Sequence, residues 1–419
     1  MADIEHANPF AKNRRTTLVR NVLGWTIAIV VIVGGFAYFT RTQQSSILIL
    51  GSTSDVSISL NGRAVQGKND PRGISVPVYS GEYRLTLTRP DNEQFSQDVS
   101  VPAGITVSIR PVYTLYTPPS SPSNSSNTID YVVATPDQKN IYYLGDDRSR
   151  LYRMEVSNRS VIPLTQQPLS GVSAVEWSND PSVALVIQTN GIFLQEIPNY
   201  DFKGQHIVHV ADDFLSPKWD PNDNSRIGAA YFAKSGEKSL VLVDKRFTTI
   251  DRKADLSNFT NPKIIWSPDS KYIAVINRAN DPLQNNLWLY NLSTGEFRAL
   301  TSAGTVLDAS FSPGSNAILY ETLTNNEHTL RAKSVATGTD FAVSFSNTVK
   351  QTAWRDDASF YTTGSTNNSL SIHSLNGDAQ DITYSGPSTS TIRGMFYFSS
   401  SQTLVFYTEN TVYTVSLNG

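Results

Sequence analysis

Lys263-Ile264-Ile265-Trp266-Ser267-Pro268-Asp269-Ser270-Lys271-Tyr272-Ile273-Ala274-Val275-Ile276 spells a strand, a tight turn and a second strand. The apolar runs on both sides are β-branched or aromatic, and Pro268 sets φ where the chain reverses. Residues 286–291 and 297–301, separated by a Ser-Thr-Gly turn, add two more short strands. The unit recurs. Matching positions fall at Ala134, Trp177, Trp219, Trp266, Phe311, Trp354 and Phe398, at spacings of 43, 42, 47, 45, 43 and 44 residues. The turn reads Thr-Pro-Asp at 135–137 (Pro136, Asp137), Ser-Asn-Asp at 178–180 and Asp-Pro-Asn at 220–222. It continues as Ser-Pro-Gly at 312–314 (Pro313) and Arg-Asp-Asp at 355–357. Seven four-stranded units, none able to bury its own sheet faces, predict a seven-bladed β-propeller over residues 129–419.

These repeats resemble the TolB-type and dipeptidyl-peptidase-type propeller repeats, whose hallmark is an aromatic-Ser-Pro-Asp-Gly turn before a hydrophobic strand. The units at Trp266 and Phe311 carry the match, with Ser270 in place of the final glycine and Gly314 in place of the aspartate. The resemblance implies a scaffold and says little of activity, because function on such folds sits in loops.

A net charge of −3 with 17% charged residues gives no global field for nucleic acid, so no nucleic-acid partner is expected. An aromatic content of 10% fits many short strands. Cysteine is absent, which excludes disulfides and thiolate metal sites.

The N-terminal region is organised differently. Val22 to Phe39 carries no charge over 18 residues, with Lys12, Arg14, Arg15 and Arg20 before it and Arg41 after it. That pattern predicts a transmembrane signal anchor over 22–40, with the lipid bilayer as a partner. Residues 1–21 are then a cytoplasmic tail and everything beyond lies outside the cell membrane. A cleaved signal peptide is the alternative; the bulky Tyr38 and Phe39 stand where its cleavage site needs small residues.

Residues 45–110 alternate as short strands and predict a small β-sandwich. Asn61-Gly62 is a strong hairpin signal, and a further hairpin is expected to join 95–99 to 105–109 across Pro102-Ala103-Gly104. The runs at 56–63, 78–87 and 101–109 resemble the PEGA family of surface β-domains, although its Pro-Glu-Gly-Ala tetrad is absent. The resemblance implies an extracytoplasmic module without chemistry of its own. Residues 111–128 form a connecting strand and a Pro/Ser linker. Because the last repeat lacks an outer strand, Val112-Tyr113-Thr114-Leu115-Tyr116 is the candidate to supply it.

No catalytic, cofactor-binding or metal-binding residue is expected, and no cofactor. There is no Gly-x-Ser-x-Gly elbow. His206 and His209 would face opposite sides of a strand, while His6, His328 and His373 stand apart in sequence. The pairs Asp146-Asp147, Asp212-Asp213 and Asp356-Asp357 lack calcium-loop spacing and read as solvated turns. Trp177, Trp219, Trp266, Phe311, Trp354 and Phe398 are expected to pack between blades. Pro136, Asp137, Pro268, Asp269 and Pro313 shape the turns, with Asp269 accepting N–H bonds within its own turn. The functional expectation is a non-catalytic, membrane-anchored surface protein whose propeller binds a protein or cell-wall glycan in the envelope. The alternatives are an accessory or sensor subunit, and a hydrolase or metal-dependent enzyme with a site at the channel.

Overall fold

The computed structural model describes residues 25–35, 38, 44–51, 56–89, 94–116, 128–135, 137–145, 148–156, 160–165, 168–196, 207–277, 286–301, 305–324, 327–346, 351–363, 369–384 and 391–417. The chain divides into two compact units, Met1–Arg110 and Pro111–Leu417, with the last two residues grouped with the first.

The first unit holds two four-stranded sheets. Ser57–Leu60 turns through Asn61 and Gly62, at φ of 51° and 77°, into Arg63–Val65. Positive φ at both turn residues matches the right-handed twist of the two strands. Gly81–Thr88 and Gln94–Val101 complete that sheet. The other sheet orders Lys68–Asp70, Gly73–Val78, Ser45–Leu50 and Thr106–Ile109.

The expected hairpin across Pro102-Ala103-Gly104 is therefore corrected. Gln94–Val101 pairs only with Gly81–Thr88, while Thr106–Ile109 crosses to run parallel to Ser45–Leu50. The cause lies at Ser45, whose Oγ donates to the Pro102 carbonyl (2.8 Å) and accepts from the Gly104 N–H (2.9 Å). The Ser46 N–H then reaches the Ile105 carbonyl at 3.2 Å. These bonds draw the chain onto the first strand of the unit instead of back along its predecessor.

The second unit is a succession of seven four-stranded antiparallel sheets. Their first strands are Asp130–Ala134, Val172–Trp177, Phe214–Asp220, Pro262–Trp266, Thr305–Phe311, Thr352–Trp354 and Gly394–Phe398. Sheet 4 shows the pattern: Pro262–Trp266, Tyr272–Asn277, Leu287–Asn291 and Phe297–Ala299 pair in sequence order. Its second strand is buried along its middle, from Ile273 to Ile276, because neighbouring sheets cover both faces. In sheet 7 the fourth strand is Val112–Tyr116, antiparallel to Val412–Ser416. Mixed cores join neighbours: Trp266 and Ile264 pack with Ala230 and Leu240 of sheet 3, and Phe398 and Val405 of sheet 7 with Ile141 and Tyr143 of sheet 1.

Three expectations of the composite architecture are replaced. Among the described residues, no helix is long and apolar enough to cross a membrane. The described helix over 25–35 would rise only about 16 Å at 1.5 Å per residue, roughly half of a ~30 Å hydrocarbon core. The transmembrane segment 22–40, the bilayer as partner, the signal anchor and the single-pass sidedness fall with it. The sandwich and the closed seven-bladed propeller give way to a coarser statement: an all-β, mostly antiparallel chain of four-stranded sheets. The tail 1–21, the linker 117–127, Pro136, Asp146-Asp147, His6 and His206 lie outside the described residues.

Candidate functional site

Each first strand of the second unit has two ends of different chemistry. At its C-terminal end stands the anchor residue, followed by the turn. Trp219, Trp266, Phe311 and Phe398 are buried there, and Trp177 and Trp354 half-buried. The tryptophans do more than fill space. The Trp177 indole N–H donates to the Tyr131 carbonyl (2.9 Å), that of Trp219 to the Glu176 carbonyl (3.0 Å), and that of Trp266 to the Lys218 carbonyl (3.0 Å). Trp354 donates to Ser310 Oγ at 3.1 Å. Each reaches back to the first strand of the preceding sheet.

The turns share one hydrogen-bond scheme. Ser267 Oγ donates to Asp269 Oδ1 (2.7 Å) and accepts from the Tyr272 N–H (2.9 Å), while Asp269 Oδ1 also takes the Lys271 N–H (3.2 Å). Thr135 with Asp137 and Ser178 with Asp180 repeat it. Burial pushes the Asp269 carboxyl up, but these hydroxyl and N–H donors outweigh it and hold the group below the usual aspartate range. The residue after the aspartate position sits in the left-handed region: Gln138, Ser270, Ser315 and Gln402 have φ of 61°, 58°, 63° and 47°. Glycine is the usual occupant of such a site. Ser270 uses its hydroxyl instead, donating to buried Asp220 of sheet 3.

Turn-to-turn bonds continue around the unit. Asn222 donates to the Pro268 carbonyl at 2.8 Å, Asp269 N–H to Ser315 Oγ at 3.0 Å, and Gly314 N–H to Asp357 Oδ1 at 2.6 Å. A Cβ on Gly314 would lie 2.2 Å from Asp357 Oδ2, which explains the glycine between Pro313 and Ser315. This end is a structural belt.

The opposite end, where the first strands begin, gathers charge and irregular backbone. Register shifts interrupt the first strand in sheets 1, 2, 3 and 5, at Tyr131, Ser173, Ser216 and Leu307. Bulges of this kind re-aim side chains and recur beside functional sites. Tyr131 (φ 50°) and Arg148 (φ 63°) are both left-handed, and they meet. Arg148 Nη2 donates to the Tyr131 hydroxyl and the Ser173 carbonyl, each at 2.8 Å, and its guanidinium lies 5.4 Å from the Tyr131 ring centre. Asp130 stands between Arg148 (3.7 Å) and Arg393 (3.3 Å), and Arg393 also reaches Glu409 at 3.1 Å.

Further along, Lys263 pairs with Asp308 at 2.5 Å, whereas Lys218 and Glu176 pair beside their anchors, nearer the turn end. Burial raises the Glu176 carboxyl above its usual range, against the pull of the Lys218 and Lys263 ammonium groups. Glu321 Oε1 accepts from His328 Nδ1 at 2.5 Å. Among the described residues the end therefore collects matched charges from sheets 1, 4, 5 and 7.

None of these residues was singled out from the sequence. A signal was present: Glu176 and Lys218 stand one residue before their anchors, and Lys263 and Asp308 three before theirs, all on one strand parity. Of the expected histidine and aspartate features, His209 pairs with Asp212 at 2.7 Å. His373 is buried, stacks on Phe360 and contacts Thr362 Oγ1 at 3.1 Å; burial lowers its pKa. Asp356 accepts the Ala358 N–H and the Ser359 hydroxyl. Among the described residues no three potential metal ligands stand together.

No protein-family model matches the sequence, so the PEGA, TolB-type and dipeptidyl-peptidase-type resemblances are not upheld as family assignments. No curated protein matches either. Solved structures share the fold. An oligogalacturonate lyase from Vibrio parahaemolyticus aligns with a TM-score of 0.55 at 11% identity, over 73% of this chain and 93% of its own. The Cps50 (Swd1) β-propeller domain of Myceliophteria thermophila gives 0.52 at 11%, and Kuenenia stuttgartiensis hydrazine synthase 0.51 at 10%, each over 73% of this chain and 100% of the other. At such identities the likeness concerns architecture alone, and that architecture is propeller-like.

Proposed function

We propose that the chain is a non-catalytic binding scaffold that engages a protein or glycan partner at the end of the second unit where the first strands begin. The observation that carries this reading is the asymmetry of the two strand ends. One end spends its polar groups on turn-to-turn bonds. The other presents part-exposed, mutually paired charges, Asp130 with Arg393 and Lys263 with Asp308 among them, supported by the left-handed Tyr131 and Arg148. Strained backbone held by its surroundings is a mark of functional surfaces. Paired charges offer orientation and hydrogen bonds to a partner more than a reactive group. The earlier expectation is thus narrowed to binding.

The test is a binding screen of the purified chain against immobilised glycans and candidate proteins, repeated with Arg148→Ala and Lys263→Ala. Retained folding with binding weakened at least tenfold is the expected result. Unchanged binding in both variants would overturn the reading. So would turnover of a peptide or glycan that these substitutions abolish.

A further inference from the structure

A cavity of about 240 Å³ opens between sheets 5 and 6 at this same end. Its polar lining is Asp308 and Ser310 from the first strand of sheet 5, Glu321 from the second, and Gln351 and Thr352 at the start of sheet 6. Buried Leu319 and Leu330 supply an apolar floor. The volume lies below the ~300–1,000 Å³ of drug-sized sites, so the cavity suits one small ring.

The charges inside are already balanced. Lys263 holds one oxygen of Asp308, and His328 holds one oxygen of Glu321. The field is therefore weak, which disfavours a bare cation, while the second oxygen of each carboxylate keeps its lone pairs. Asp308 Oδ2 and Glu321 Oε2 accept no hydrogen bond among the described residues, and neither the Gln351 amide nor the Thr352 hydroxyl is engaged. Ser310 Oγ accepts from the Trp354 indole, so its own O–H remains a donor. Two carboxylate acceptors, an amide that both gives and takes, and two hydroxyls converge above an apolar floor.

We infer that this cavity is a subsite for one neutral sugar residue. Vicinal hydroxyls donate to the carboxylates, ring and hydroxyl oxygens accept from Gln351 and Ser310, and the C–H face rests on the leucines. The inference rests on the binding reading above and selects a glycan as the ligand class.

Saturation-transfer NMR on the purified full chain tests it, with the methyl glycosides of glucose, galactose and N-acetylglucosamine as neutral probes. Glucosamine and glucuronate serve as the cationic and anionic counterparts. The expected result is transfer to at least one neutral glycoside, stronger than to either charged sugar. It should weaken roughly tenfold in Gln351→Ala and in Asp308→Asn, about the loss of one hydrogen bond. Arg252→Ala, on the outer strand of sheet 3 and outside the cavity lining, should leave it unchanged. Melting temperatures within about 2 °C of the parent exclude misfolding as the cause of a loss; a variant that melts lower is replaced by Thr352→Val, for which the same weakening is expected. Absent transfer, transfer indifferent to the cavity substitutions, or preference for a charged sugar overturns the inference. A protein partner that still binds through Arg148 and Lys263 while no sugar does would sink the sugar subsite and leave the scaffold reading standing.

Discussion

The two ends of the first strands in the seven-sheet unit use the same residue types to opposite effect. At the turn end, aspartates accept hydrogen bonds from residues two or three positions away, and turns then bond their neighbours. At the beginning of the strands, carboxylates meet cations about forty residues or more distant, as Asp130 meets Arg393 and Asp308 meets Lys263. Short-range bonds close with little loss of chain entropy and give stability. Long-range pairs between half-exposed groups contribute little stability and shape a surface. The difference separates a structural rim from a recognition rim within one repeated unit.

The largest expected effect tests the turn end. Trp266→Ala removes a buried indole and its bond to the Lys218 carbonyl, costing ~3–5 kcal/mol. A fall in melting temperature on the order of 5–10 °C is expected. A shift under about 2 °C would erase the distinction between the two ends.

Ser267→Ala should cost less, about 1–3 kcal/mol, by leaving the part-buried Tyr272 N–H without the acceptor that buried Ser267 supplies. Urea denaturation with unchanged m-value would register it. Equal losses from Ser267→Ala and Lys263→Ala would break the comparison, since the half-exposed Lys263–Asp308 pair should contribute less than about 1 kcal/mol.

The pH response separates a carboxylate bonded within its own turn from one paired over long range, through its sign. Asp269 has a folded-state pKa below the ~3.9 of a free aspartate. Its contribution is present above that value and is lost as pH falls through the folded one. Asp269→Asn should therefore flatten the acid limb of a stability profile. Glu176 is raised, so the folded state loses stability as pH climbs from ~4.3 toward its folded value. Glu176→Gln should remove that opposite slope. Identical profiles for the two variants would contradict the opposite shifts of the two carboxyls.

Much of the turn end could be read from residue order alone. The 42–47-residue spacing of anchors marked seven sheets, and Ser-x-Asp before an apolar run marked the reversals, because both depend on contacts close in sequence. Asn61-Gly62 was legible for the same reason. The hairpin across Pro102-Ala103-Gly104 was not: Ser45, some sixty residues upstream, takes both polar groups of that turn. Over 22–40, hydropathy alone predicted a membrane span that the described helix is too short to make.

By itself, then, the sequence determined the period of the strands, the turn chemistry and the placement of aromatic anchors, all of which follow from local conformational preference and alternating burial. Only the tertiary structure decided which carboxylate meets which lysine and that Tyr131 and Arg148 share a left-handed contact. It alone also showed a polar cavity between Asp308 and Gln351. Those outcomes depend on the angle and register at which one sheet packs on the next, quantities set by side-chain volumes summed over many residues and carried by no single motif.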